Sequence, residues 1–192
     1  MPVRTPSEVL EFWFSEQARP HWFEKNAAFD EAIRARFEDT VRAASTGELD
    51  HWAQAAPGAL ALVIVLDQFP RNIYRGSARA FAADARARAI ADQAVARRLD
   101  QDTPLERRGF LYMPFEHSES LSDQQRSIAL FQAWAEAHDG AARERALEMM
   151  PYVHRHAEII RRFGRFPHRN EALGRESTEA ETAFLREPMS SF

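Results

Sequence analysis

Apolar residues recur along most of this chain at three- and four-residue intervals, the spacing that lines one face of a helix. Phe29, Ile33, Phe37 and Val41 follow one another every four residues from about Asn26, and Gly47 stands where that helix should stop. Tyr152, His156, Ile159, Ile160 and Phe163 share a second face, which places His156 on the core side, with Gly164 as the terminator. The run from Ala59 to Leu66 is apolar on every side. Its Val63-Ile64-Val65 would suit a buried strand, but no second β-branched run exists to pair with it, and a lone strand leaves its backbone donors and acceptors unsatisfied. A central helix surrounded by others is the expectation.

Start and stop signals fill in the rest. Thr5-Pro6-Ser7-Glu8, Thr103-Pro104-Leu105-Glu106, Ser122-Asp123-Gln124-Gln125 and Thr178-Glu179-Ala180-Glu181 each put a hydroxyl at the N-cap and Glu or Gln three residues on. Two of them add proline at the favoured first position. Ser77 to about Leu99 reads as one long alanine- and arginine-rich helix, and residues 141–163 as another, kinked at Pro151. The pattern predicts an all-α protein of roughly eight or nine mostly antiparallel helices in a single domain, residues 1–192. No composition break divides it, and no repeat at the ~34-residue period of tetratricopeptide units is legible.

Two near-repeats interrupt the pattern: Phe69-Pro70-Arg71-Asn72 and Phe166-Pro167-His168-Arg169-Asn170. A proline straight after an apolar helical run denies it continuation, so both are expected to be ordered turns that present arginine and asparagine, pinned by buried Phe69 and Phe166. Two such turns lining one polar site would suit a small anion, because guanidinium forks match carboxylate and phosphate geometry.

Composition narrows the chemistry. A chain of 192 residues with 45% hydrophobic content fits one core of ordinary size. The absence of cysteine removes disulfides, thiolate metal sites and a cysteine nucleophile together. A net charge of −4 gives no support to nucleic-acid or membrane affinity, and Ala59 to Leu66 falls far short of the ~20 residues that span a bilayer. Met1-Pro2-Val3-Arg4-Thr5-Pro6 lacks the apolar core of a signal peptide, so a cytoplasmic location is the default expectation. Arginine occurs 24 times against one lysine, Lys25, a bias that codon usage explains as readily as chemistry.

Candidate residues fall in three segments. Asp67 sits at the negative end of a helix and needs a cation, for which Arg71 and Arg75 are near enough. Asn72 is placed to cap free carbonyls. Read as structure, this is a clamp; read as function, it is a pocket wall. Glu116 and His117 stand side by side after Pro114, where adjacent side chains diverge and each needs an outside partner. Residues 113–124 carry a net charge of −3 and residues 151–175 a net +4, so the two stretches either pair within the fold or face a ligand. His154 and Glu158, four apart, make a weak metal pair without a third ligand, and neither a metal nor a cofactor is expected. Arg165, His168, Arg169 and Asn170 follow Gly164, with Asn170 placed to cap residues 171–173. Asp67, Glu116, His117 and His168 are the groups able to exchange a proton. Ser118 lies next to His117, but no nucleophile elbow surrounds it, and no glycine-rich phosphate loop is present.

These segments carry a resemblance. Leu66-Asp67-Gln68-Phe69-Pro70-Arg71-Asn72 with Phe81 and Asp84, Pro114-Phe115-Glu116-His117-Ser118-Glu119, Phe163 through Asn170 and Leu173-Gly174-Arg175-Glu176-Ser177-Thr178 resemble a bacterial family catalogued as domain of unknown function number nine hundred and twenty-four. The likeness extends over nearly the whole chain, including Phe12-Trp13-Phe14. It implies a tetratricopeptide-like helical superstructure and no established activity. Three readings of the function stay open. The first is a polar concavity binding a small anionic molecule or an acidic peptide end, with Arg71, Arg165 and Arg169 supplying charge, Asn72 and Asn170 orienting, and Glu116 with His117 completing the wall. The second is a metal-independent enzyme using Glu116, His117 or His168, and the third a purely structural or protein-interaction module.

Overall fold

The computed structural model describes residues 2–191, and three of its α-helices begin where a hydroxyl or amide side chain holds a free backbone donor. Helix α1, Pro6–Trp13, is opened by both arms of the Thr5–Glu8 capping box. Helix α2, Ala27–Thr46, is capped by Asn26, whose side chain accepts from the Phe29 N–H, and ends at Gly47 with φ at 92°. Its buried residues include Phe29, Ile33, Phe37 and Val41, the expected stripe. Their rings join Phe12, Trp13 and Phe69 in one aromatic core, where the Phe37 and Phe69 centroids are 4.8 Å apart.

The apolar run is helical, as its lack of a strand partner requires. Helix α3, Ala56–Val63, passes into a wide turn, Ile64–Gln68, and on into helix α4, Phe69–Ile73. Here the expected turn at Phe69-Pro70 is not found: the chain stays helical through the proline. In a regular α-helix the ring of Pro70 would press on the carbonyl four residues back. The wide turn instead bonds the Phe69 N–H to the Ile64 carbonyl, five residues back, and the ladder re-forms around the missing donor.

Helix α5 is Asp84–Ala96, not a continuous helix from Ser77; Ser77 caps a short 3₁₀ turn, Ala78–Ala80, and the α-helix starts after it. Helix α6 is Leu105–Glu116, and the Thr103 hydroxyl donates back to the Leu99 carbonyl. Pro114 lies inside α6, so Glu116 and His117 leave a helix end and not an extended break. Helix α7, Leu121–Glu136, is led by Ser120 in extended conformation; Ser122 is already helical, and its hydroxyl meets that of Ser120. Helix α8, Gly140–Phe163, runs through Pro151 and ends at Gly164 with φ at 70°. His156, Ile159 and Ile160 of the expected face are buried, with Val153 and Ala157 beside them; Phe163 is half-buried and Tyr152 is exposed. Helix α9, Glu179–Phe184, carries a complete Thr178–Glu181 capping box.

The helices fall into two units, one ending at Pro104 and one beginning at Leu105. Within the first, α3 packs against α1 and α5. Within the second, α7 and α8 lie along one another and α6 packs on both. No strand occurs among the described residues, and none of their helices is long and apolar enough to cross a membrane.

Candidate functional site

In the first unit the wide turn delivers Asp67, fully buried, to Arg71 one turn along. Arg71 Nη1 lies 3.3 Å from Asp67 Oδ1 and also bonds the Asp67 carbonyl, while Nη2 reaches Asp84 Oδ2 at 3.0 Å. Burial pulls the Arg71 guanidinium down, but Asp67 and Asp84 outweigh it and hold the group above its ordinary value. The cation expected for Asp67 is therefore Arg71, but Asp67 needs it because it is buried and not because a helix ends there. Asn72 does not cap carbonyls; its amide donates to Asp30 Oδ1 at 2.8 Å, beside Arg75, which bonds both Asp30 oxygens. Burial alone would raise the Asp30 carboxyl, yet these donors hold it below its usual range.

The second unit gathers Glu116, His117, Arg165, His168, Arg169 and Asn170 with residues the sequence pattern does not single out. Glu119 accepts the Phe166 N–H at 2.8 Å and takes Arg175 on both oxygens, at 2.7 and 2.9 Å. Burial would push the Glu119 carboxyl up, but those bonds bring it below its ordinary value. Arg175 also donates to Asn170 Oδ1, and the Asn170 amide to Ser177, so Asn170 stitches this turn instead of capping residues 171–173. Arg165 is bound to Glu181 by two bonds, at 2.6 and 2.8 Å, and to the Glu176 carbonyl. The turn is thus held rigid by arginine–carboxylate forks, and Phe166 is fully buried, as a pin must be.

Around the Phe166 ring stand three basic groups, with a fourth next to one of them. The Arg169 guanidinium lies over it at 4.5 Å, His168 and His156 are at 5.6 and 5.5 Å, and His117 is 6.0 Å beyond His156. Glu116 enters from the end of α6. Its Oε1 is 2.9 Å from His156 Nδ1, and both side chains are almost wholly buried, at 2% and 4% exposure. The same Nδ1 lies 2.9 Å from the Tyr152 carbonyl. A carbonyl can only accept, so this contact is a hydrogen bond when Nδ1 carries the hydrogen. Glu116 Oε2 is buried and has no hydrogen-bond partner among the described residues. His156, a core residue by periodicity, is in the core and is also the partner that Glu116 needs. The charge complementarity of residues 113–124 and 151–175 is the signal for Glu119 with Arg175; it counts arginines and does not point to His156.

Among the described residues no group of three or more His, Cys, Asp or Glu side chains is placed to hold a metal. Glu158, offered as a ligand beside His154, pairs with Arg155 at 2.9 Å.

A family model described as "Bacterial protein of unknown function (DUF924)" matches residues 9–189. The chain is also similar to the solved structure of a protein of unknown function, ATU0120, from Agrobacterium tumefaciens. The two are 41% identical, the match covers 94% of this chain and 96% of that one, and the TM-score is 0.80. No curated protein matches.

Proposed function

We propose, for a chain that belongs to the bacterial DUF924 family of unknown function, that its second unit is a metal-independent acid–base site acting on a small anionic molecule. The observation that carries this reading is the Glu116–His156 pair. Five other carboxylates of the described residues are held by arginine: Asp67 and Asp84 by Arg71, Asp30 by Arg75, Glu119 by Arg175, Glu181 by Arg165. Arginine keeps its charge at every relevant pH and is the structural solution. Glu116 is held instead by imidazole, the side chain suited to passing a proton near neutrality, and one carboxylate oxygen is left without a bond.

In this reading Glu116 fixes the His156 ring through Nδ1 and stabilises the imidazolium, while Nε2 takes a proton from the substrate and returns it. His117 and His168 are half-buried and lead outward from the pair. The Arg169 guanidinium over the Phe166 ring favours a substrate bearing carboxylate or phosphate. Arg165, Asn170 and Arg175 hold the turn and do not touch substrate.

The test is a panel of small anionic esters, phosphoesters and 2-oxo acids, the last followed by proton exchange in deuterated water, run with chelator from pH 6 to 9. Turnover that survives chelator and falls ~100-fold or more in Glu116→Gln and His156→Asn, with circular dichroism unchanged, is the expected result. Activity indifferent to Glu116→Gln, or lost to chelator and restored by metal, overturns it. Saturable binding of an anion or an acidic peptide without any turnover leaves the site as a binding module.

A further inference from the structure

Gln124 lies on the first turn of α7 and is fully buried. Its Nε2 carries two hydrogens and has two short acceptors: the carbonyls of Glu116 at 2.6 Å and Ser118 at 2.7 Å. These are the residues on either side of His117. The Phe115 carbonyl, 3.5 Å away, already accepts the Ser118 N–H at 3.2 Å. At the end of α6 such carbonyls have no donor inside their own helix, and buried they cannot turn to water. The residue before Gln124 grips the same segment from the other side, since Asp123 accepts the Ser118 hydroxyl at 2.7 Å. We infer that Gln124 is the positioning residue of this site: its side-chain amide fixes the backbone on both sides of His117 and so sets the aim of that imidazole and of the Glu116 carboxylate.

The residue type follows from the task. Two neutral N–H bonds from one nitrogen, at that reach, are what a glutamine amide offers. Glutamate would turn oxygen toward oxygen, and lysine or arginine would bring a charge into a fully buried position. Misplacing a proton-handling group by an ångström is enough to degrade its reaction, so the pin matters even though it touches no substrate. The inference rests on the acid–base reading for its purpose, but its test needs neither substrate nor turnover.

The experiment compares imidazole ¹H–¹⁵N spectra of the whole protein with those of Gln124→Met, which removes both donors, and of Phe131→Leu, which weakens the same helix without touching residues 116–118. The His117 signal should shift or split in Gln124→Met, with those of His138 and His154 unmoved, and should keep its place in Phe131→Leu. An unmoved His117 signal in folded Gln124→Met overturns the inference. So does a His117 shift of the same size in Phe131→Leu, which would mark a general response to lost stability. Where Gln124→Met does not fold, the wild-type protein decides: slow solvent exchange of the Gln124 side-chain amide, with couplings across its bonds to the Glu116 and Ser118 carbonyls, is expected, and rapid exchange refutes it.

Discussion

Asp67 shows how much a residue can disclose by its position along the chain alone. The helix-end reading of Asp67 names the right cation for the wrong reason: the chain stays helical through it, and Arg71, four residues on, meets a buried carboxylate. Since Asp67 is fully buried, Asp67→Asn should cost about 3 kcal/mol in a urea titration, the lower part of the range for breaking a buried pair, because Arg71 keeps Asp84. A variant as stable as the parent would show that the pair contributes nothing. Glu116 is not legible in the same way. Its partner lies on another helix, and periodicity assigns His156 to the core without saying which group it meets there. Helical spacing reports which side of an element is buried, and it is silent on pairing across elements.

Caps and glycines govern the elements. The Thr5 and Thr178 boxes are readable because hydroxyl, spacing and acidic partner agree; Ser122 is not the cap because Ser120, two residues earlier, takes the extended backbone that an N-cap needs. The helical course of Phe69-Pro70 is hidden for a related reason: proline signals a break, and nothing in the residue pattern announces a turn wide enough to absorb it. Two glycines inside helices give opposite expectations. A Cβ on Gly58 would stand 2.0 Å from the Trp52 carbonyl oxygen, so Gly58→Ala should cost about 3 kcal/mol or more, since backbone cannot step aside. On Gly109 the nearest atoms, on Phe131 and Trp134, are 3.7 Å away. Gly109→Ala should therefore gain about 0.5–1 kcal/mol from reduced chain entropy. Paired denaturation curves check both.

For the whole molecule, the arginine forks set the response to acid. Hydrogen bonds from Arg165, aided by the Thr178 cap, lower the Glu181 carboxyl from 4.5 to about 2, and Glu119 and Asp30 are lowered too. A carboxylate depressed by folding stabilises fully above its unfolded value, and that contribution disappears as pH falls through the folded one. Urea midpoints should be flat with respect to these groups above about pH 5 and fall between about 4.5 and about 2. Glu181→Gln should be less stable at pH 7 and show a shallower acid slope; an unchanged slope would mean that this fork is not formed in solution. At this scale the helical class is legible, since capping and periodicity are local. The division after Pro104 is not, because it falls at a helix start with no change of composition to mark it.

The wide turn at Ile64–Gln68 has a consequence for how this stretch can vary in length. It accommodates one residue more than a regular α-helical turn, in a segment with no loop to absorb a change. Deleting one residue there would take away the extra residue itself, and the plain ladder left behind would press the Pro70 ring on the carbonyl four residues back, whereas the same deletion in the regular turns of α3 would rotate everything after it by about 100° around the axis. Val65 exchanged for isoleucine adds one methylene; Val65 removed sets the helix against its own proline.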